Sequence, residues 1–492
     1  MISYQSTRSR ITSSSLDAVI KGIAPDGGLF VPLGITPEVF DWKKCVEMEF
    51  LDQSAYILSA MFPELEDTGQ LIRDAYRGKF ENDDIAPTVA AGGKFITELF
   101  HGPTSAFKDV ALSVLPLLMM RGKKAAGDTT DTVILTATSG DTGKAALEGF
   151  ADVDGIKVIV FFPSEGVSAV QKLQMVSTSA ANELVCAVKG DFDDCQTGVK
   201  NTFRILQDKS NAPEGVTFSS ANSINIGRLI PQIAYYFSSY TNLIKMGQIS
   251  SGDKVDFTVP TGNFGDILAG YYAKQLGLPI GRLICASNSN NVLTDFLRTG
   301  IYDRNRPLYK TVSPSMDILV SSNLERLLFH ACGGDTEYVR SLMESLSESG
   351  RYEADEALMD TIRSDFSGYC AGEDDISDSI SELWHNHGYL CDTHTAVAWH
   401  CAKQYANDTG STVPMVVLST ASPYKFPTAV LCAIGEDTSG DEFSQIERLN
   451  RITGVPVPGN LSGLRNAPEI HRDITSPETI TEYVIGKIRD WK

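Results

Sequence analysis

The sequence predicts an α/β fold in which open, mostly parallel sheets are flanked by helices. Long apolar segments rich in β-branched residues, such as 156–163 (IKVIVFFP), alternate with segments of helical periodicity. The order strand, glycine-containing turn and helix occurs at 132–152 and again at 254–277. Further apolar strands are predicted at 282–287 and 413–420. Continuous apolar strands separated by helices are typical of parallel sheets covered on both faces.

Residues 1–90 are predicted to form an N-terminal domain that is mostly helical. Segments 37–62 and 68–80 have helical periodicity, and the turn PDGG at 25–28 precedes a short predicted strand at 29–32. The alternation of strands and helices begins after this domain.

The later part of the chain is predicted to be more helical again. Residues 300–390 are acidic with helical patterning, and SESGRYEADEALMD within them is expected to form a solvated face. Residues 436–492 are predicted to form a C-terminal helical appendage.

Composition and charge narrow the class of protein. The chain has 492 residues, 42% of them hydrophobic, so it can bury a large core and form two or three domains. Its 42 basic and 62 acidic side chains give a net charge of −20. This balance argues against a nucleic-acid binder, which needs a basic face to meet phosphates. A small anionic ligand would therefore need a local, preorganised pocket.

The cysteines and the apolar runs indicate a protein of a reducing compartment. The nine cysteines form no CxxC pair and fit no zinc spacing, so we interpret them as reduced thiols and expect no metal. The N-terminal segment lacks the apolar core of a secretory signal. No apolar run reaches the roughly 20 residues that a membrane-spanning helix needs. We therefore expect a cytoplasmic protein without membrane partners.

Two glycine-containing turns are candidate anion sites. The first, 136–147 (TATSGDTGKAAL), and the second, 259–270 (VPTGNFGDILAG), each join a strand to a helix. A helix N-terminus offers free backbone N–H groups, and glycines let that backbone approach a phosphate or carboxylate closely. Neither turn is a Walker A loop or GxGxxG. Each taken alone could be an ordinary connection between a strand and a helix.

The position of Lys108 favours a functional site at these two turns over ordinary connections between a strand and a helix. It lies among small polar residues and is followed directly by an apolar helical stretch. A packed lysine can lose its proton, because burial disfavours the charged form, and a neutral amine can form a Schiff base with an aldehyde. Pyridoxal phosphate is an aldehyde cofactor that also carries a phosphate. The open alternative is a surface lysine at the start of a helix.

Two further segments supply polar groups. Asn222 and Ser223 offer neutral donors, and Arg228 offers a planar charged fork suited to an oxyanion. Thr420 ends a buried strand, at the edge where ligands bind in open α/β sheets, and its hydroxyl could face a pyridine nitrogen. Arg228 could instead be solvated, and Thr420 could be satisfied by the backbone.

Other motifs are weaker candidates. Four of the seven histidines lie at 385, 387, 394 and 400, but no carboxylate or cysteine completes a plausible metal shell around them. A helix surface or a domain contact is the simpler interpretation. The nucleophile motif GxSxG is absent.

Five motifs together resemble the threonine synthase family, in the larger form found in bacteria and fungi. They are HGPTSAFKD (101–109), TSGDTG (138–143), NSINIGR (222–228), TGNFGD (261–266) and STASPYKF (419–426). Together with the opening segment 4–32, the match covers nearly the whole chain. The resemblance implies fold type II of the pyridoxal-phosphate-dependent enzymes. We accordingly expect a cofactor-binding large domain at 91–130 and 226–435, and a smaller α/β domain at 131–225.

The resemblance also implies a set of site residues. Lys108 would form the Schiff base with pyridoxal phosphate and act as the catalytic residue. The other cofactor-binding residues would be Asp141, near the ring hydroxyl, Thr420, at the pyridine nitrogen, and Gly262, Asn263, Phe264, Gly265 and Asp266, around the phosphate. The substrate-binding residues would be Ser139, Gly140 and Thr142, at the carboxylate, and Asn222, Ser223 and Arg228, at the substrate phosphate.

The implied activity is the conversion of O-phospho-L-homoserine and water into L-threonine and phosphate, by γ-elimination followed by β-addition of water. This makes the chain a carbon–oxygen lyase acting on a phosphate ester, at the last step of threonine biosynthesis. The expected partner is this small-molecule substrate, with a monomer or homodimer as the assembly. The alternative is another lyase of the same fold, such as a serine or threonine dehydratase.

Overall fold

Sixteen strands and nineteen α-helices occur in a computed structural model that describes residues 2–81, 84–138, 140–165, 167–206 and 211–491. The strands are β1 (Ser3–Ser6), β2 (Thr12–Ser13), β3 (Phe30–Leu33), β4 (Thr88–Ala91), β5 (Lys94–Glu98), β6 (Asp131–Ala137), β7 (Ile156–Pro163), β8 (Glu183–Val188), β9 (Val216–Ser219), β10 (Val255–Pro260), β11 (Ile280–Ser287), β12 (Ile301–Asp303), β13 (Arg351–Glu353), β14 (Phe366–Cys370), β15 (Met415–Ser419) and β16 (Asp473–Thr475). The helices are α1 (Ser15–Lys21), α2 (Phe50–Met61), α3 (Thr68–Tyr76), α4 (Lys108–Ala126), α5 (Asp141–Phe150), α6 (Ala169–Val176), α7 (Phe192–Leu206), α8 (Ile226–Leu229), α9 (Ile233–Lys245), α10 (Gly265–Gln275), α11 (Val292–Thr299), α12 (Leu324–Ala331), α13 (Thr336–Ser349), α14 (Glu356–Asp365), α15 (Glu373–His387), α16 (Thr393–Thr409), α17 (Pro427–Ala433), α18 (Glu442–Thr453) and α19 (Ile480–Asp490).

Two open sheets organise the molecule, as the sequence predicts. The larger has the order β14-β11-β10-β15-β5-β4, and its strands are parallel except for β4, which runs antiparallel to β5 at one edge. The smaller has the order β16-β8-β7-β6-β9 and is parallel throughout. Their central strands are mostly apolar and buried, because helices cover both faces of each sheet. This confirms the predicted α/β class.

The carboxyl ends of three strands open onto one cleft. β6 leads into the start of α5, β10 into the turn before α10, and β15 into residue 420. In open α/β sheets this edge carries the ligand, because backbone donors and helix N-termini converge there. The apolar helix α4 begins at the same edge, and most of its residues are buried.

The N-terminal region is more than a helical domain. β1, β2 and β3 form a separate three-stranded antiparallel sheet beside α1 to α3. Its side chains Tyr4, Phe30 and Val31 are completely buried in the main core. The region is therefore joined to the main core of the molecule by apolar burial.

The C-terminal region also contributes more than helices. β16 adds an edge strand to the smaller sheet by pairing with β8. α19 buries Ile480, Val484 and Ile488 in the same apolar cluster as Val133 and Val199. The last residues thus complete a sheet that begins more than 300 residues earlier, at Asp131. Within the described ranges, no helix combines the length and the apolar character that crossing a membrane requires.

Candidate active site

Lys108 is buried at the start of α4. The residue is 9% exposed, and its Nζ lies 3.6 Å from Asp141 Oδ2 and 4.9 Å from the ring centroid of Phe107. Burial lowers the pKa of Lys108, the positive charges of Lys425 and Arg228 lower it further, and Asp141 opposes both. An amine in these surroundings is more readily available in its neutral, nucleophilic form.

Asp141 lies opposite Lys108, at the first position of α5. Its Oδ1 accepts hydrogen bonds from Lys425 Nζ at 2.5 Å and Gln171 Nε2 at 3.0 Å, and its Oδ2 accepts one from Ser315 Oγ at 3.3 Å. Burial alone would raise the pKa of Asp141, but Lys425 and Lys108 outweigh it and hold the pKa well below its ordinary value. The side chain is therefore a carboxylate at any physiological pH.

The turn between β6 and α5 is held by one hydroxyl. Thr138 Oγ1 accepts from the backbone N–H groups of Gly140 and Gly143, each at 3.0 Å. Thr142 lies in the first turn of α5, at the helix N-terminus. The helix dipole stabilises the carboxylate of a ligand at this end. Ser139, predicted to act with these residues, lies outside the described residues.

The turn between β10 and α10 is fixed by the segment that follows 320. Gly262 O accepts from Ser321 Oγ at 2.8 Å, and Asn263 O accepts from the backbone N and the Nδ2 of Asn323, at 3.1 and 2.8 Å. Phe264 is buried with a left-handed backbone (φ 61°), which turns the chain so that α10 begins at Gly265. The first N–H groups of α10 consequently point out of the turn.

Asp266 turns its side chain away from this turn. Tyr236 OH donates to Asp266 Oδ1 at 3.0 Å and to the Asp266 carbonyl at 2.8 Å, while Oδ2 is buried without a hydrogen-bond partner among the described residues. Burial raises the pKa of Asp266 to about 7, although the bond from Tyr236 lowers it. The predicted phosphate contact of this residue can come only from its backbone N–H in this arrangement.

Arg228 is a buried cation whose donors are only partly used. It is 4% exposed, and Nη1 donates to Ala221 O at 2.6 Å, while Nε is buried and has no partner in the part of the chain that the structure describes. Burial lowers the pKa of Arg228 to about 10. A buried guanidinium with a free donor is poised for an anion, because an unpaired buried charge is costly.

Ser322 joins two of the predicted anion-binding segments, the loop 222–228 and the turn 262–266, which are called the anion loops below. Its Oγ lies 3.2 Å from Ser223 Oγ and donates to Asn263 Oδ1 at 3.2 Å. Asn222, on the same loop as Ser223, accepts through its carbonyl from the backbone N of Asn225. The loop 222–228 and the turn 262–266 therefore lie side by side.

Thr420 is held beside the segment that carries Lys108. Its carbonyl accepts from Phe107 N at 2.9 Å, and Ala106 and Ala421 form an isolated antiparallel bridge. Thr420 is 5% exposed, directly after β15. The carboxyl end of a central strand thus fixes the turn at the start of α4.

Residues outside the predicted set complete the site. Lys425 and Ser315 contact Asp141, Ser322 bridges the two loops, and Arg326 is fully buried. Arg326 donates to Ile224 O, Phe30 O and Asn323 Oδ1, so it ties both anion loops to the N-terminal sheet. Lys425 lies inside a quoted motif, whereas nothing local in the sequence marks the others.

The histidine cluster is divided between two helices. His385 and His387 are on α15, and His394 and His400 are on α16. His394 is buried, with Nδ1 2.7 Å from Asp392 Oδ2 and Nε2 accepting from Ser315 N at 3.2 Å. Among the residues that the structure describes, no group of His, Cys, Asp and Glu is arranged to hold a metal ion.

Family comparisons cover most of the chain. The family described as "Pyridoxal-phosphate dependent enzyme" matches residues 95–420, "Threonine synthase N terminus" matches 3–76, and "Threonine synthase, C-terminal" matches 395–484. The human protein "Threonine synthase-like 1" is 39% identical over 460 residues, which cover 89% of this chain. The chain spans only 61% of the length of that relative.

Two threonine synthases match over nearly their full length. The Saccharomyces cerevisiae enzyme is 37% identical, covering 95% of this chain and 97% of its own. The crystal structure titled "PLP bound Threonine synthase from Brucella melitensis" superposes with a TM-score of 0.88 at 36% identity, covering 100% of this chain and 99% of the other. The chain therefore belongs to the threonine synthase family of pyridoxal-phosphate-dependent enzymes, and its fold is fold type II.

Proposed function

We propose that the chain binds pyridoxal 5'-phosphate and converts O-phospho-L-homoserine and water into L-threonine and phosphate. The observation that carries this proposal is the position of Ser322, whose hydroxyl lies 3.2 Å from both Ser223 Oγ and Asn263 Oδ1. The loops 222–228 and 262–266 thus lie side by side, and Arg228 of the first loop is close enough to the buried Lys108 for its charge to lower the pKa of that lysine. A phosphorylated cofactor and a phosphorylated substrate together need such a pair of loops.

The residues around Lys108 fit this cofactor. A Cβ at Gly262 would lie 2.8 Å from Ser315 O, so this turn can close only without a side chain. Of the residues that the structure describes, only Asn323 would lie within 4 Å of a Cβ at Gly265, through Nδ2 at 3.6 Å, so among them space is open above the first turn of α10. The free backbone N–H groups at the N-terminus of α10, an 11-residue helix, suit a phosphate. Lys108 and Thr420 would then lie toward the aldehyde and the ring nitrogen.

Bound there, the cofactor would withdraw electrons from the substrate's α carbon and so acidify its neighbouring protons. Asp141, a permanent carboxylate beside Lys108, would face the ring hydroxyl. Thr420, as a neutral hydroxyl, would leave the ring nitrogen unprotonated. Lys108 would supply the covalent attachment in the resting enzyme.

The substrate is held at both ends in this proposal. Gly140, Thr142 and Ser139 would bind its carboxylate at the N-terminus of α5, where the helix dipole favours negative charge. Asn222, Ser223 and Arg228 would bind its phosphate, filling the free donor at Arg228 Nε. Holding both ends fixes the β and γ carbons near the Lys108 amine.

Proton transfer falls to Lys108. Its lowered pKa leaves a share of neutral amine that can take a proton from the α carbon and then from the β carbon. Phosphate leaves from the γ carbon with its bonding electron pair, held by Arg228. One abstracted proton goes to the γ carbon, and water then adds its hydroxyl at the β carbon and gives its remaining proton to the released phosphate. The other abstracted proton returns to the α carbon, which yields threonine. A long side chain suits this task because it reaches several carbons in turn.

The test is turnover of phosphohomoserine by the purified protein, with threonine and phosphate measured together. We expect equal amounts of the two products and a visible absorption band that borohydride bleaches with label on Lys108. Lys108→Ala should abolish turnover, whereas Lys123→Ala, in the last turn of the same helix, should retain it. Normal turnover by Lys108→Ala would refute the assignment.

The alternative, a serine or threonine dehydratase of the same fold, makes a different prediction for Arg228. A substrate without phosphate has no use for a buried guanidinium with a free donor. Arg228→Leu should raise the KM for phosphohomoserine by about 100-fold, because it removes a charge-assisted bond of about 3 kcal/mol. A parental KM, with turnover of serine or threonine, would favour the dehydratase.

Assembly and location complete the proposal. The acidic net charge and the nine free cysteines support a cytoplasmic enzyme that does not bind nucleic acid. We propose a monomer or a homodimer, to be decided by light scattering of the purified protein. The threonine formed would be the end product of its biosynthetic route.

A further inference from the structure

Lys425 is a fully buried cation next to the site. It closes a short 3-10 turn (Pro423–Lys425) after β15, and its side chain has no exposed area. Its Nζ lies 2.5 Å from Asp141 Oδ1 and donates to Thr104 O at 3.0 Å. An ammonium at such depth is costly unless its bonds are made, so these two contacts hold it in place.

The two partners belong to different parts of the cleft. Asp141 begins α5 beside the smaller sheet, and Thr104 lies in the turn that leads to Lys108. That turn is tightly bonded: Thr104 N and Oγ1 donate to the Asp109 carboxylate at 2.9 and 2.5 Å. Lys425 therefore connects Asp141, at the start of α5, to the turn that leads to Lys108.

We propose that Lys425 is a positioning residue for the reaction, which holds the Asp141 carboxylate and the turn before Lys108 in register with each other. The inference rests on the proposed function and deepens it. The hydrogen bonds and ion pairs that the Lys425 side chain makes among the described residues are with Thr104 and Asp141, outside the proposed substrate loop 222–228 and the turn 262–266. Its effect passes through Asp141 and Thr104.

Electrostatics supports the geometry. Asp141 divides its charge between two cations, because Oδ1 faces Lys425 and Oδ2 faces Lys108. Removing Lys425 would leave Lys108 as the remaining lysine paired with Asp141 among the described residues, and it would also remove a like charge from the neighbourhood of Lys108. Both changes make the Lys108 nitrogen hold its proton more tightly. The charged or titratable groups facing this cluster are Lys108, Asp141, Arg228, His394 and Asp109.

The experiment is a pH titration of the visible absorption band of the cofactor-loaded enzyme. Lys425→Met should move the midpoint upward by about one pH unit or more and lower kcat by about tenfold or more. Lys425→Arg should recover part of both effects. The matched control is Lys123→Met: Lys123 is also buried and donates to Thr132 Oγ1 at 2.8 Å, but in the last turn of α4. It should keep the parental midpoint.

A second background separates positioning from general charge. With Asp141→Asn in place, Lys425→Met should shift the midpoint much less than it does in the parent, because the connection is already broken. A parental midpoint for Lys425→Met, or equal shifts in the two backgrounds, would overturn the proposal. If Lys425→Met does not fold, Lys425→Gln serves, since its amide can still donate to Thr104 O.

The outcomes are distinct from those of the proposed function. A parent protein that has the band but forms no threonine would refute the proposed reaction, and the variant titrations would still decide the role of Lys425. A parent protein with no band after loading would overturn both.

Discussion

At the scale of single residues, the site combines buried charged groups that pair with each other and two, Arg228 and Asp266, that each keep one side-chain atom without a hydrogen-bond partner among the described residues. Lys425 and Asp141 satisfy each other, whereas the Asp266 side chain accepts a hydrogen bond from the Tyr236 hydroxyl and its Oδ2 has no partner within the described ranges. Burial raises the pKa of Asp266 to about 7, so its ionised form is costly in the folded protein. The protein tolerates this cost directly behind the proposed phosphate turn.

The prediction for Asp266 concerns stability and pH. Its folded pKa lies above its ordinary 3.8, so its stabilising effect is complete below about pH 4 and is lost as the pH rises toward 7. Asp266→Asn removes that loss. As the pH rises from 5 to 8, the parent should lose about 2–3 kcal/mol more unfolding free energy than the variant does. Denaturant titrations at both pH values measure the difference.

The control for this prediction is Asp360→Asn, at an exposed position on α14. It should change the unfolding free energy by less than about 0.5 kcal/mol at either pH. If Asp266→Asn were equally silent, the carboxyl group of Asp266 would have to be solvated or paired in the folded protein.

At the scale of an element, the turn before α10 depends on two glycines for different reasons. Gly262 faces backbone, since a Cβ there would lie 2.8 Å from Ser315 O. Gly265 faces open space, since a Cβ there would make only an ordinary contact with Asn323 Nδ2 at 3.6 Å. The first glycine is required by the fold, and the second by whatever binds above the helix.

This difference predicts a split between stability and affinity. Gly262→Ala should lower the unfolding free energy of the cofactor-free protein by about 1–3 kcal/mol, because backbone must shift. Gly265→Ala should leave it within about 0.5 kcal/mol. Both should raise the Kd for pyridoxal phosphate by about tenfold or more, measured by absorbance titration. A parental Kd for Gly265→Ala would contradict a phosphate above the first turn of α10.

A second element-scale feature attaches the N-terminal sheet to α12. Arg8 donates to both carboxylate oxygens of Glu325, at 2.8 and 2.7 Å, and the Glu325 side chain is only 6% exposed. Arg8→Met would leave a nearly buried carboxylate with the Thr7 hydroxyl as its remaining partner. We expect a loss of about 2–3 kcal/mol in denaturant titrations. Arg340→Met breaks an exposed pair with Glu337 and should cost less than about 1 kcal/mol.

At the scale of the whole molecule, the sequence predicts what is local and periodic. The strand predicted at 156–163 is confirmed as β7, because a continuous apolar run is distinctive in a sequence. The predicted α/β class is confirmed for the same reason. β14 lies inside 300–390, where acidic, helical patterning conceals a five-residue strand. β16 has three residues and acquires its identity only by pairing with β8.

The site residues likewise include some that the local sequence marks and some that it does not. Lys108 stands out because a polar, turn-forming run meets an apolar helix there, and the glycine turns are marked by their neighbours. Lys425, Ser322 and Arg326 carry no local signal for their roles. Their partners are Asp141, Asn263 and Phe30, which only the folded chain brings within reach. Contacts between distant segments are not encoded in any short window of sequence.

The dependence of the smaller sheet on the chain's last residues gives a final prediction. Ile488 on α19 is fully buried against this sheet, whereas Ile474 on β16 is 62% exposed. Ile488→Ala should lower the unfolding free energy by about 2–5 kcal/mol through lost burial and a cavity, and Ile474→Ala by less than about 0.5 kcal/mol. Hydrogen exchange should accelerate in α7 and β8 for Ile488→Ala but not in α10. Uniform acceleration in all three elements would mean that both sheets unfold as one unit, and that the C-terminal residues stabilise the entire cleft.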